Sequence, residues 1–132
     1  MARATIEQYL EDNFVKWCKE QHIEAIKGPT MMSRGFPDRY CILPNFGGTI
    51  YVEFKGSDLY YDLTPLQQWW RRILLGSDSN RYFAIYTKEE LEQLKQKCLD
   101  FMAVGKQIVE FESKVLAEHA IINIKQEVKE NV

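Results

Sequence analysis

Residues 35–68 read GFPDRYCILPNFGGTIYVEFKGSDLYYDLTPLQQ, and their pattern decides the fold. Residues 38–43 read as a strand, stopped by Pro44-Asn45-Phe46-Gly47-Gly48, a five-residue link that suits a hairpin. Residues 49–55 are the returning strand. Its side chains alternate, with Ile50, Val52 and Phe54 facing one way and Tyr51, Glu53 and Lys55 the other. Gly56 and Ser57 open a loop. Thr64-Pro65 then starts a helix, with Thr as N-cap and Pro in the first turn. That helix runs to about Leu75, ends at Gly76, and carries Gln67 in its first turn.

Working outward, residues 5–21 predict an amphipathic helix. Thr5 is its N-cap with Gln8 three residues on, and Ile6, Leu10, Phe14, Trp17 and Gln21 form the core-facing stripe. Glu7 and Glu11 lie one turn apart beside that stripe. Residues 23–27 predict a first strand, ended by Gly28-Pro29. A loop over 28–36 follows, bearing Met31, Met32 and Arg34. After the central helix, whose apolar face is Leu66, Trp69, Trp70, Ile73 and Leu74, residues 82–86 predict another strand. Thr87 and Glu90 make a second capping box ahead of a helix through Leu91, Leu94 and Cys98. The order helix, strand, hairpin, helix, strand, helix predicts an α/β fold, a mixed sheet flanked by helices.

The expected organisation is a core over residues 1–99 and a helical C-terminal extension over 100–132. In the extension Phe101, Val104, Ile108, Phe111 and Val115 recur by three and four, and the register breaks at Glu118 before resuming near Ile122. Two readings stand open: a helix packed on the core, or a dimerisation arm.

The 132 residues suffice for one domain with its own core. No apolar run approaches the ~20 residues of a membrane span, and the N-terminus lacks a leader pattern, so a cytoplasmic protein is expected. Three dispersed cysteines and two histidines do not fit a structural zinc site; reduced core thiols are expected instead. The net charge of −2 gives no global attraction to nucleic acid. Residues 1–99 balance 13 basic against 13 acidic side chains, so any contact with DNA requires a local basic surface.

Two carboxylates and a lysine on neighbouring strands are the parts of a phosphodiester-cutting site. Magnesium takes hard oxygen ligands, commonly one or two carboxylates with water and phosphate completing the shell. Asp38 and Glu53 can meet across the hairpin, and the backbone carbonyl of Phe54 can face the same ion. Lys55 lies where it can orient an attacking water or offset developing charge. Gln67 offers a neutral amide to a water or phosphate at a helix N-terminus that favours anions. Arg71 and Arg72 follow on the same helix.

Gly35-Phe36-Pro37-Asp38-Arg39, Glu53-Phe54-Lys55 and Leu63-Thr64-Pro65-Leu66-Gln67 together resemble the VRR-NUC family of the PD-(D/E)XK nuclease superfamily, over about residues 5 to 95. The resemblance implies a restriction-endonuclease-like core and a Mg²⁺- or Mn²⁺-dependent phosphodiesterase site. It assigns the catalytic roles to Asp38, Glu53, Lys55 and Gln67. It adds a first-helix glutamate as metal ligand, with Glu7 the better match and Glu11 the other. Lys27 matches a lysine that follows the first helix; with Arg34, Arg39 and Arg71 it makes the expected DNA-binding set. Small members look like homodimeric, structure-selective DNA nucleases from viruses or bacteria, with four-way junctions among favoured substrates, which implies action inside a bacterial or virus-infected cell. Two features depart from the family: Phe54 stands where an aliphatic residue is usual, and the segment past residue 100 has no counterpart. The competing readings are a non-catalytic nucleic-acid-binding module on the same fold and an interaction protein built around the tail.

Overall fold

The computed structural model describes residues 5–29, 34–56 and 63–130. Its elements run α1 (Ile6–Glu20), β1 (Glu24–Lys27), β2 (Arg39–Ile42), β3 (Ile50–Phe54), α2 (Pro65–Leu74), β4 (Arg81–Ile85) and α3 (Lys88–Glu130). The expected order and element types are present, with boundaries moved by one or two residues. Met31, Met32 and Ser57 lie outside the described residues.

The four strands make one sheet in the order β1-β2-β3-β4. β1 pairs with β2, and β2 with β3, antiparallel; β4 joins β3 in parallel, so α2 is the crossover between parallel neighbours. The register sets Tyr40 opposite Tyr51 and Arg39 opposite Val52, while Glu53 faces Ala84 of β4.

Alternation sorts the two faces of the sheet. Ile50, Val52 and Phe54 point into a core with Cys41 and Ile85, closed by Leu10, Phe14 and Cys18 of α1 and by Leu91, Leu94 and Cys98 of α3. The Phe14 and Phe54 rings meet at 5.8 Å between centroids. Fully burying each large apolar side chain contributes roughly 1.5–3 kcal/mol. The buried stripe of α1 is Leu10, Glu11, Phe14 and Cys18; Ile6, expected inside, is the first helical residue and is half exposed. Cys18, Cys41 and Cys98 are free and buried.

The opposite face carries Tyr51, Glu53 and Lys55, with Tyr82 beside them on β4, and α2 packs over it. Thr64 accepts from the backbone N–H of Gln67 and the Gln67 side chain accepts from the Thr64 N–H, closing a capping box. Trp70 donates from Nε1 to the Arg34 carbonyl and packs edge-on against Phe36, which also meets Tyr40 and Tyr51. This aromatic group ties the Gly35–Pro37 segment to both helix and sheet. Gly35, at φ +78°, lets the backbone pass against Leu66 and Gln67 where a Cβ would collide.

The apolar stripe of α2 departs from expectation. Trp70 turns inward, but Leu66, Trp69 and Ile73 are about half exposed, and no residue of α2 is buried. A helix lying on one sheet face through Gln67, Trp70 and Arg71 has its far side turned away from the sheet.

α3 is continuous across the expected boundary at residue 99. Half of its expected Thr87–Glu90 capping box forms: the Glu90 N–H donates to Thr87 Oγ1, but the Glu90 carboxylate accepts from the Tyr86 N–H and the Thr87 hydroxyl and not from the Thr87 N–H. Phe101 and Met102 lean on the core, and Gly105 lies against the Asn45 backbone of the hairpin turn, where a Cβ would collide. Beyond it residues 106–130 are exposed but for Val115. Among the described residues no helix is long and apolar enough to cross a membrane.

Candidate active site

Asp38 and Glu53 meet at the mouth of the hairpin. One step beyond the Arg39–Val52 pair, the same register sets Asp38 opposite Glu53. The two clasp each other through backbone. The Asp38 N–H donates to Glu53 Oε2 at 3.2 Å, and the Phe54 N–H donates to Asp38 Oδ2 at 2.8 Å. Each carboxylate is thus held by the other strand's main chain. Gly28 supports the approach, since its N–H donates to the Asp38 carbonyl and a Cβ there would collide with the Pro37 carbonyl.

Gln67 completes this clasp. Its Nε2 donates to Glu53 Oε1 at 2.8 Å. The amide anticipated as a contact for water or phosphate is therefore engaged by a carboxylate, and both Glu53 oxygens have a protein donor. Lys55, two residues on and on the same face, is buried, and its N–H donates to the Ile85 carbonyl at the end of β4.

The electrostatics are unfavourable for two anions. Burial pushes the Glu53 carboxyl up to about 8, and the neighbouring Asp38 charge adds to the shift while Lys55 opposes it. Asp38 is also raised, by burial first, with the Phe54 N–H and Lys55 pulling the other way. The Glu7 charge raises both, so its carboxylate acts on the pair although Glu7 is exposed. Among the described residues no three His, Cys, Asp or Glu side chains group closely enough to hold a metal ion.

Glu11, the other first-helix candidate, is buried and faces Arg39, with 3.7 Å between Glu11 Oε1 and Arg39 Nη2. Burial raises the Glu11 carboxyl, and Arg39 opposes that shift. Arg39 also donates from Nη1 to the Ala25 carbonyl at 3.2 Å. Its guanidinium points to the α1 side of the sheet, away from Tyr40 and Tyr51, and is engaged inside the protein. Strand alternation carries that signal: Arg39 faces oppositely to Asp38 and Tyr40. Of the other expected DNA contacts, Lys27, Arg34 and Arg71 are exposed.

Residues beyond the expected set also shape the site. Tyr82 shares the face of Glu53, and the Arg71 guanidinium lies 5.9 Å from its ring centroid. Its hydroxyl is buried with no hydrogen-bond partner among the described residues, and burial with the Glu53 charge raises its pKa. Arg71, Arg72, Gln68, Leu63 and Tyr86 line an open groove of about 460 Å³ along α2. Tyr86 follows directly after β4, two residues beyond Ala84, the strand partner of Glu53.

No family model matches the chain, and no curated protein matches it.

Proposed function

We propose that this protein is a divalent-metal-dependent deoxyribonuclease that hydrolyses phosphodiester bonds, with branched DNA such as four-way junctions as its substrate class. The reading rests on one observation: the half-buried Asp38 and the buried Glu53 are held together, with raised pKa values, beside the buried Lys55. Two carboxylates confined this way, whose charges Lys55 and, at Asp38, Arg39 oppose without cancelling the upward shifts, are a set of hard oxygen donors. That suits Mg²⁺ or Mn²⁺, which needs no more than two carboxylates.

Asp38 and Glu53 would hold the ion, with the Phe54 carbonyl as a further ligand; Glu7, the first-helix candidate, does not group with the pair closely enough to join them among the described residues. A metal bound there supplies polarisation of the phosphate and a lower pKa for bound water. The chain's own residues do the rest. Gln67 fixes the Glu53 carboxylate from the helix N-terminus, Lys55 orients the attacking water and offsets charge on the phosphorane, and Arg71 and Arg72 offer cations to flanking phosphates. Action in the cytoplasm of a bacterial or virus-infected cell belongs to the same proposal.

The test is cleavage of labelled four-way junction and duplex DNA with Mg²⁺, Mn²⁺ or EDTA. Cutting is expected with either metal and not with EDTA. Lys55→Ala loses about 10²–10³-fold, the scale of removing one transition-state donor. Asp38→Ala and Glu53→Ala abolish cutting while the circular dichroism stays native. Absence of metal-dependent cutting on every substrate, or full activity in Lys55→Ala, overturns the reading.

A further inference from the structure

The outer face of α2 is aromatic and cationic at once. Gln67 reaches Glu53 and Trp70 packs on Phe36, so these two mark the sheet side of the helix. At ~100° per residue, Trp69 and Arg72 fall on the far side, within roughly 60° of each other. Leu66, Trp69 and Ile73 are 42%, 45% and 48% exposed. Pro65, Leu66, Trp69 and Arg72 line an open depression of about 450 Å³.

The Trp69 indole is held in place. It meets Trp70 edge-on at 5.1 Å between centroids, and Trp70 is fixed in turn by its bond to the Arg34 carbonyl and by Phe36. An exposed ring fixed in this way has little freedom left to lose when a ligand stacks on it.

Charge and area select the occupant. α2 carries Arg71 and Arg72 and no acidic residue, whereas α1 sets four acids against two lysines and α3 nine against seven. Arg34, whose carbonyl Trp70 binds, adds an exposed cation beside this helix. In a chain of net charge −2, α2 is therefore the helix that an anion approaches without repulsion from the helix's own side chains. Burying a Leu or Ile covers roughly 60–120 Å² of apolar area, and a Trp ~150–250 Å². At the exposures above, the three side chains offer roughly 120–220 Å². A standard protein interface takes ~800 Å² per partner, several times more. A nucleobase needs one exposed ring to stack on and a cation nearby for its phosphate.

We infer that the outer face of α2 is a stacking site for an unpaired base of a DNA strand: the base lies on Trp69 beside Leu66, and Arg72 takes a neighbouring phosphate. The site rests on the nuclease reading and narrows its substrate. One helix diameter, ~10 Å, separates this face from the carboxylates that Gln67 touches. That is about three base steps at ~3.4 Å each. The substrate is then DNA with unpaired nucleotides about three steps from the cut, as at the opened centre of a branch.

Binding decides this without cutting. Affinities are measured by fluorescence anisotropy in EDTA at about 50 mM salt, for a labelled single strand, a gapped duplex and a fully paired duplex. The first two are expected to bind more tightly than the third and to quench tryptophan fluorescence. Trp69→Ala weakens the first two by about 5- to 150-fold, the scale of one base–aromatic stack, and leaves the paired duplex unchanged. Trp69→Phe keeps a ring and restores most of the loss. Arg72→Ala weakens all three and lowers the salt slope by about 0.7–0.9. The inference is overturned by no binding of any probe, by Trp69→Ala acting equally on paired and unpaired DNA or on neither, by no recovery in Trp69→Phe, or by an unchanged salt slope in Arg72→Ala. A change in sedimentation with Trp69→Ala and none in DNA affinity overturns it in favour of a protein partner. Metal-dependent cutting combined with indifference to Trp69→Ala removes this site and leaves the nuclease. Trp69-dependent binding with no cutting in Mg²⁺ or Mn²⁺ keeps the site and removes the nuclease.

Discussion

Gln67 donates to Glu53 at 2.8 Å while its own amide oxygen accepts the Thr64 N–H at 2.9 Å. One side chain therefore caps α2 and fixes a buried carboxylate of β3. Gln67→Ala removes both contacts and is expected to destabilise the fold by about 1–3 kcal/mol, from a lost cap and a lost hydrogen bond to a charged group. Gln67→Glu separates the two roles. A glutamate still accepts the Thr64 N–H but turns a second carboxylate toward Glu53. Its loss of stability should be small at pH 5 and grow toward pH 8. Urea denaturation at the two pH values distinguishes these cases; equal losses at both would mean that Glu53 does not feel residue 67.

The buried carboxyl of Glu53 gives the metal-free protein a pH dependence of definite sign. Its folded pKa, about 8, lies above the ordinary value of 4.5. Between these values the folded chain holds a proton that the unfolded chain has released, so stability falls as pH rises. The decline starts near pH 4.5 and levels off past about 8. Asp38, shifted in the same direction, adds to it from the usual aspartate range upward. Glu53→Gln should flatten the profile and be more stable than the wild type at pH 8. Denaturation midpoints from pH 5 to 9, with EDTA present, check this; a wild-type midpoint that rises across that range would contradict it.

The sequence was informative where local rules act alone. Period two set Glu53 and Lys55 on one face of β3, and Thr64-Pro65 marked the start of α2 with Gln67 in its first turn. It was less informative where the answer depends on what lies opposite. The spacing of Leu66, Trp69 and Ile73 identifies an apolar stripe but not its cover, and the single chain leaves that stripe exposed. Glu11 and Arg39 read as a helix flank and a DNA contact because each is charged; their burial follows from α1 crossing the sheet where β2 turns Arg39 inward. Gln67 was legible in position but not in partner, since its reach to Glu53 depends on how α2 sits on the sheet.

The inward course of Arg39 has a measurable consequence. Arg39→Ala leaves Glu11 buried without its cation and the Ala25 carbonyl without its side-chain donor. Leaving such groups unsatisfied costs on the order of 1–3 kcal/mol. Lys27→Ala and Arg34→Ala, both at exposed positions, should change stability by no more than about 0.5 kcal/mol. If Arg39 instead contacts DNA as the motif implies, Arg39→Ala will match those two in stability and differ only in DNA affinity. Equilibrium denaturation of the three variants decides between these roles without any activity assay.

Tyr82 poses the opposite problem, a polar atom with nothing to hold it. Its hydroxyl is buried beside charged groups and finds no hydrogen-bond partner among the described residues. A buried hydroxyl left in this state costs about 1–3 kcal/mol relative to one that is bonded. Removing it should therefore cost nothing. Tyr82→Phe keeps the ring under the Arg71 guanidinium, so the cation–π contact survives the change. The expected result is a stability equal to the wild type or up to about 1 kcal/mol higher. A bonded hydroxyl would give the reverse sign, a loss of about 0.5–1.5 kcal/mol. The measured direction of the shift in denaturation midpoint thus reports whether this hydroxyl, two residues along β4 from the partner of Glu53, is satisfied in the folded protein.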